Sequence, residues 1–115
     1  MKRGEMVLVA CSLEAGAFSG ERIFTLDLAD TQSSYSGVVP AHYCFDENQQ
    51  SLNQNQPAKD KPINGFVEAF LVANGGDQAT VEFPDGEALR ISLSQIRFRQ
   101  DQPQGTKYVP VGPRS

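Results

Sequence analysis

The amino-acid sequence predicts an all-β protein, and residues 65–99 carry the strongest signal. In residues 80–83, TVEF, apolar and polar side chains alternate with the period of two that places them on opposite faces of a strand. Residues 84–87, PDGE, predict a hairpin turn, because Asp-Gly supplies the positive φ that such a connection needs. Apolar residues do not recur at helical spacing in this segment. We therefore expect a small curled β-sheet.

The other strands are predicted by the same alternation. Phe24, Leu26 and Leu28 alternate with polar residues and are expected to face inward. A later strand should bend at Gly37 and Pro40, since proline cannot donate to a β-ladder. Residues 6–11, MVLVAC, resemble the end of a lipoprotein signal, but the apolar run is too short, which favours a first strand with a buried cysteine. The predicted strands are residues 6–13, 22–28, 35–45, 65–71, 80–83, 89–93 and 96–99.

Composition divides the chain into four blocks. Residues 1–45 form an N-terminal β-unit, and residues 63–99 form a C-terminal one. Between them, residues 46–62 are polar and rich in Asn and Gln, which predicts a long loop or linker. Residues 100–115 contain three prolines and predict a mostly flexible tail, in which residues 108–111 could add an edge strand.

The two β-units resemble each other. Residues 25–30, TLDLAD, align with residues 80–85, TVEFPD, and each stretch is followed by a second alternating strand. Two unrelated hairpins would also match at this level, so both explanations stand. Either way the apolar faces must be buried, and we expect two small units packed together or one composite barrel.

Length and charge limit the function classes. The chain has 115 residues and a formal net charge of −4, which disfavours binding to a phosphate backbone. No segment is long and apolar enough to span a bilayer, so we expect a soluble, cytoplasmic protein without membrane contact. Two cysteines and one histidine are too few for a zinc site, and no phosphate loop occurs. We expect no cofactor and no metal.

Catalysis by a cysteine nucleophile is one possible function of this chain. His42 and Cys44 are predicted to share a strand face, and Asp46 could complete a Cys-His-acid arrangement. Strand neighbours two residues apart are poorly placed for proton transfer, and Cys11 and Cys44 fit better as small core residues. We therefore predict no catalytic residues.

A family resemblance follows from residues 65–69 (GFVEA), residues 81–87 (VEFPDGE) and the pair Ile96-Arg97. This stretch resembles the SH3-like barrels of the Tudor/Agenet and KOW types. The resemblance implies a non-catalytic module that grips peptides, modified side chains or nucleic acid. It also implies that Phe66, Phe83 and Asp85 match positions of a cage for methylated Lys or Arg. The chain has no tryptophan, in contrast to that pattern, and simple core packing is the alternative for both rings.

Phenylalanine supplies the first candidate contact surface. Phe66, Glu68 and Phe70 lie on one face of a predicted strand, and exposed aromatic pairs on a sheet mark a partner surface or a dimer contact. In the alternative, both faces of this strand are covered. Phe18 lies in a flexible loop and completes the candidate set. The leading hypothesis is a protein–protein interaction module acting as adaptor, subunit or regulator, with a homodimer allowed.

Arginine supplies the second candidate surface. Arg90, Arg97 and Arg99 are predicted to point outward from neighbouring strands, where they could contact phosphate or an acidic partner. This surface supports the alternative hypothesis of a nucleic-acid-associated barrel. The simpler explanation is cross-strand pairing with Glu82 or Glu87.

Overall fold

The computed structural model describes residues 4–28, 33–53, 61–102 and 105–110. The predicted all-β class is confirmed, since these residues form strands and two 3-10 turns joined in one curled, half-barrel sheet. No helix in the described ranges is long and apolar enough to cross a membrane. The strands are β1 (Met6–Ala15), β2 (Glu21–Asp27), β3 (Ser34–Pro40), β4 (Cys44–Asp46), β5 (Ile63–Gly75), β6 (Gln78–Glu82), β7 (Ala88–Ser92), β8 (Ile96–Gln102) and β9 (Gly105–Pro110); the turns are Ala41–Tyr43 and Leu93–Gln95.

The centre of the sheet is the antiparallel ladder of β1 and β5. Val9 lies opposite Val67 at the middle of this ladder. The main path of the sheet runs β3-β2-β1-β5-β6-β7, with β4 paired to β5 and β8 paired to β1 and β9. The two predicted β-units therefore contribute to a single sheet.

The same order of elements occurs twice. Three strands, a 3-10 turn and a fourth strand make up β1 to β4, and the same series makes up β5 to β8. The strand after each turn crosses to the other unit: Cys44 of β4 pairs with Val67, and Ile96 of β8 pairs with Val9. These matching pairs relate the two units by a pseudo-twofold axis through the Val9–Val67 pair.

Alternation along the strands builds the core. Odd-numbered residues of β1 and β5 face inward, as do Phe24 and Leu26 of β2, which agrees with the predicted inward face. The core is aliphatic with a few aromatic rings. Its buried members include Val7, Val9, Leu13, Phe24, Val39, Val67, Leu71, Val81, Phe83, Ile91 and Ile96.

The predicted third strand is interrupted. The strand continues without a break through Gly37, which pairs with Phe24. Pro40 ends β3, and Ala41–Tyr43 forms a 3-10 turn before β4 begins. A proline removes a ladder donor, which explains the break. In the second unit Ser92 and Gln95 form a capping box around the equivalent turn.

The end of the first unit is anchored by Arg22, whose side chain is buried. Its Nη1 donates to the carbonyl oxygens of Ser19 (2.8 Å) and Glu21 (2.7 Å), and its Nη2 donates to that of Leu52 (2.9 Å). Leu52 is itself buried, within the stretch predicted as a polar loop. Asp46 shapes this stretch by accepting backbone hydrogen bonds from Asn48 and Gln50. Arg22 therefore joins the β1–β2 loop to the segment after β4.

Candidate partner-binding surface

Large apolar side chains are exposed at a few places among the described residues. Phe18 is 71% exposed, Val38 50% and Phe70 48%. Phe18 lies in the loop after β1, whereas Phe70 pairs with Met6 at the start of β1. The two phenylalanines therefore lie at opposite ends of β1 and do not form one patch.

Phe66 and Phe70 project from the same face of β5 but differ in environment. Phe66 is 9% exposed, and the Arg97 guanidinium lies over its ring, 5.5 Å from the centroid. This distance is within the range of a cation–π contact. Among the described residues, no comparable cation–π contact occurs at Phe70, which is about half exposed. Of this predicted pair, only Phe70 presents its ring to solvent.

Phe83 and Asp85 have structural roles. Phe83 is buried and stacks on Phe24, with 5.0 Å between the ring centroids. Asp85 is exposed and accepts hydrogen bonds from the Tyr35 hydroxyl (2.7 Å) and from the backbone N–H of Glu87 (3.0 Å). Since Phe66 and Phe83 are both buried, these positions do not form an open aromatic cage.

Phe70 lines a cleft that we call the Phe70 cleft. Its volume is about 230 Å³. Apolar and aromatic side chains form most of its lining, and two carboxylates, Glu68 and Glu82, lie beside Phe70. Glu82 is directly opposite Phe70 across the β5–β6 ladder. The lining residues are Met6, Tyr43, Glu68, Ala69, Phe70, Glu82, Phe83, Pro84 and Gly86.

The charge of this cleft is acidic. Partial burial raises the pKa of Glu68, while the nearby His42 opposes that rise. His42 also contacts the ring of Tyr43, with 4.2 Å between centroids. A half-exposed aromatic ring between two carboxylates can contact an apolar side chain and attract a cation at the same time.

A second cleft lies beside Arg97, and we call it the Arg97 cleft. Its volume is about 500 Å³. The Gln95 side chain is held at both ends, because its Oε1 accepts from the Ser92 N–H and its Nε2 donates to the Asp27 carbonyl. Arg97 Nη1 donates to the carbonyl oxygens of Ser94 and Ile96. The lining is Ala10, Cys11, Ser12, Thr25, Leu26, Asp27, Glu47, Asn64, Gly65, Phe66, Gln95 and Arg97.

Both clefts have the same structural origin. One edge of β1 is paired with β8 at Val7–Val9 and with β2 from Ser12 onward, so a gap opens beside Ala10. One edge of β5 is paired with β4 at Gly65–Val67 and with β6 from Phe70 onward, so a gap opens beside Glu68. The pseudo-twofold axis exchanges these gaps. The two clefts are therefore equivalent in position and different in chemistry.

The predicted basic surface is divided by the topology. Arg90 lies on β7, which pairs with β6, whereas Arg97 lies on β8, which pairs with β1 and β9. Arg90 donates to the side chain of Gln78 (2.7 Å). The expectation that these arginines project from neighbouring strands is not met for Arg90 and Arg97. The side chain of Arg99 lies outside the described residues.

The structure separates His42 from Cys44. His42 lies exposed in a 3-10 turn and Cys44 is fully buried, so the predicted shared strand face is wrong. Burial raises the pKa of the Cys44 thiol to about 12, although Arg22 opposes the shift. Burial also raises the pKa of Cys11. Both thiols are protonated at neutral pH. Among the described residues no group of three potential metal ligands occurs.

Comparison with known proteins gives no match, whether against family models, curated proteins or solved structures. The site must be judged from its own geometry. Sequence reasoning named Phe70 and Phe83 and placed Glu68 on the Phe70 face, but it did not place Met6, Tyr43 or Glu82 at this site. The position of Glu68 between two phenylalanines was the one local signal, because the other residues come from strands that meet only in the folded chain.

Proposed function

We propose that this chain is a non-catalytic, SH3-like protein-interaction module that binds a segment of a partner protein in the Phe70 cleft. The observation that carries the proposal is a 48% exposed phenylalanine lining a cleft between Glu68 and Glu82. Aromatic side chains in pockets are typical anchors of protein interfaces. Surrounding carboxylates favour a partner segment with Lys or Arg beside an apolar residue.

Other features support a binding role. Burial keeps the Cys44 thiol protonated at neutral pH, which argues against a thiolate nucleophile. Cys11 and Cys44 are free thiols, as is usual in a reducing compartment, and we place the module in the cytoplasm on this ground. Arg90 and Arg97 lie on strands that do not pair with each other, which weakens the nucleic-acid alternative.

The test uses a displayed random-peptide library selected on the intact protein. An enriched peptide should bind Phe70→Ser about 30-fold more weakly, the loss of about 2 kcal/mol typical of an interface anchor. Val38→Ser is the matched control, because Val38 is equally exposed on β3 but lies outside both clefts. Equal loss in both variants, or salt-sensitive oligonucleotide binding that ignores Phe70, would count against the proposal.

A further inference from the structure

The Phe70 cleft and the Arg97 cleft open on the same face of the central ladder. Even-numbered residues of β1 and β5 lie on this outer face, since the odd-numbered ones from Val7 to Leu13 and from Val67 to Leu71 are in the core. Between the two clefts, Leu8 and Phe66 of this face are buried, so a segment that joins the clefts passes above them. Met6 and Phe70 are opposite each other at one end, and Ser12 and Asn64 are opposite each other at the other. Both pairs line their respective clefts.

The distance between the two clefts is set by the strand repeat. From Met6 to Ser12 the chain advances six residues along β1. At about 3.3 Å per residue this is roughly 20 Å, less any shortening from the curl of the sheet. An extended segment of a partner advances at the same rate, so about six of its residues would bridge the clefts.

The chemistry of the Arg97 cleft selects one kind of side chain. Arg97 supplies a cation whose hydrogen bonds go to backbone carbonyls, while Asp27 and Glu47 supply carboxylates. A bare carboxylate would meet these acids, and a bare cation would meet the arginine. An amide has both a donor and an acceptor, and the exposed Asn64 adds a further group of each kind. Asn or Gln therefore fits this lining better than a charged residue.

From this geometry we infer that a single extended segment occupies both clefts. It carries an apolar residue with an adjacent Lys or Arg for the Phe70 cleft, and Asn or Gln about six residues away for the Arg97 cleft. This inference rests on the proposed function and adds the chemistry, the spacing and the second subsite of the partner segment.

The experiment measures fluorescence anisotropy of synthetic peptides binding to the full chain. Each peptide has a Leu-Lys pair and a Gln placed two, four, six or eight residues from the Leu, with serine or glycine at the positions between, and is made in both orientations. We expect the tightest binding near the six-residue separation in one orientation, at least tenfold tighter than at two. Replacing the peptide Gln by Leu should remove this advantage.

Variants of the protein test whether the peptide Gln binds in the Arg97 cleft. Asn64→Ala should weaken binding of the Gln peptide and leave the Leu peptide unchanged, and Arg97→Gln should do the same. Asn64 is exposed, so its change keeps the inference testable if loss of the Arg97–Phe66 contact impairs folding. Affinity that depends on Phe70 but ignores spacing, Asn64 and the peptide Gln overturns this inference and leaves the proposed function standing. Absence of binding by every peptide, or binding that ignores Phe70, overturns both.

Discussion

The Tyr35 hydroxyl donates a 2.7 Å hydrogen bond to Asp85 Oδ2 and thereby joins the two units of the chain. Tyr35 lies on β3 and Asp85 lies in the turn between β6 and β7, at the opposite end of the main sheet path. Phe24 supports this contact, with its ring 5.9 Å from Tyr35 and 5.0 Å from Phe83 between centroids. The curl of the sheet brings its outer strands together here.

Removal of this hydrogen bond should lower the free energy of unfolding slightly and change how that free energy depends on pH. The bond to Asp85 raises the pKa of Tyr35 from 10.0 to about 12. Stabilisation from a raised pKa is complete below pH 10.0 and is lost as pH rises through about 12. We expect Tyr35→Phe to cost about 0.5 kcal/mol at neutral pH, since the pair is exposed, and to abolish this alkaline loss. Urea unfolding from pH 7 to 12 measures both effects, and an identical pH profile in wild type and variant would contradict the assignment.

Glycine at position 65 is required by close packing of β4 on β5. A Cβ there would meet the carbonyl oxygen of Phe45 and come within 2.8 Å of Leu13 Cδ1. Since backbone cannot move aside cheaply, Gly65→Ala should destabilise the fold by roughly 1–3 kcal/mol. Gly20→Ala is the control, because nothing lies within 4 Å of its Cβ position. Chemical denaturation of both variants checks the difference, and equal midpoints would refute the packing argument.

The buried guanidinium of Arg22 should be important for the β1–β2 loop. Arg22→Met removes three hydrogen bonds to carbonyl oxygens, so we expect a loss of about 2 kcal/mol or more in unfolding free energy. Hydrogen exchange should also rise around Phe18, because two of those carbonyls belong to Ser19 and Glu21, which follow Phe18 within the same loop and the start of β2. Arg90→Met is the control at an exposed arginine and should leave exchange in this loop unchanged. A stable variant with unaltered exchange would show that Arg22 does not hold the loop.

The two buried thiols should be inert in the folded protein. Burial raises the pKa of both Cys11 and Cys44, and neither side chain reaches solvent appreciably. A disulfide-exchange reagent at pH 8 should modify both in urea and neither under native conditions. Rapid labelling of native protein at Cys44 would contradict the described packing and reopen the enzyme hypothesis.

Exchange of β4 and β8 between the units predicts that neither unit folds alone. Residues 1–53 lack the β5 partner of β4, and residues 61–115 lack the β1 partner of β8. The two fragments should each be unfolded by circular dichroism and should form strand structure when mixed. The cut falls in the polar stretch of the sequence between the units. A fragment that folds by itself would mean that the exchanged pairings are dispensable.

Local chemistry was sufficient to predict the strands but not their pairing. Alternation located β1, β2 and β6, and Pro40 marked the break in the third predicted strand. The same alternation that placed Phe24 inward also places Arg22 inward, a signal that the sequence analysis did not use. Arginine side chains are seldom fully buried, so the alternation pattern alone was a weak basis for predicting burial of Arg22.

The candidate site was harder to predict from the sequence than the strands were. Phe66 and Phe70 lie on the same strand face, and it is Phe66 over which Arg97 of β8 lies. Pairing of β8 with β1 is a long-range contact, which no local pattern specifies. For the same reason the proximity of Arg90 and Arg97 was predicted from sequence order, whereas the topology places their strands in different parts of the sheet.

The chemical difference between the Phe70 cleft and the Arg97 cleft bears on the chain direction of a bound partner segment. A groove across a true twofold axis offers identical contacts to a chain read forwards or backwards, so it cannot distinguish amino-terminal from carboxy-terminal. In this protein the exchange of Met6 for Asn64 and of Phe70 for Ser12 across the axis makes the two clefts chemically unlike. A partner segment that fills both clefts, as inferred above, would then bind with a single polarity, and whatever follows it in the partner would leave from a defined side.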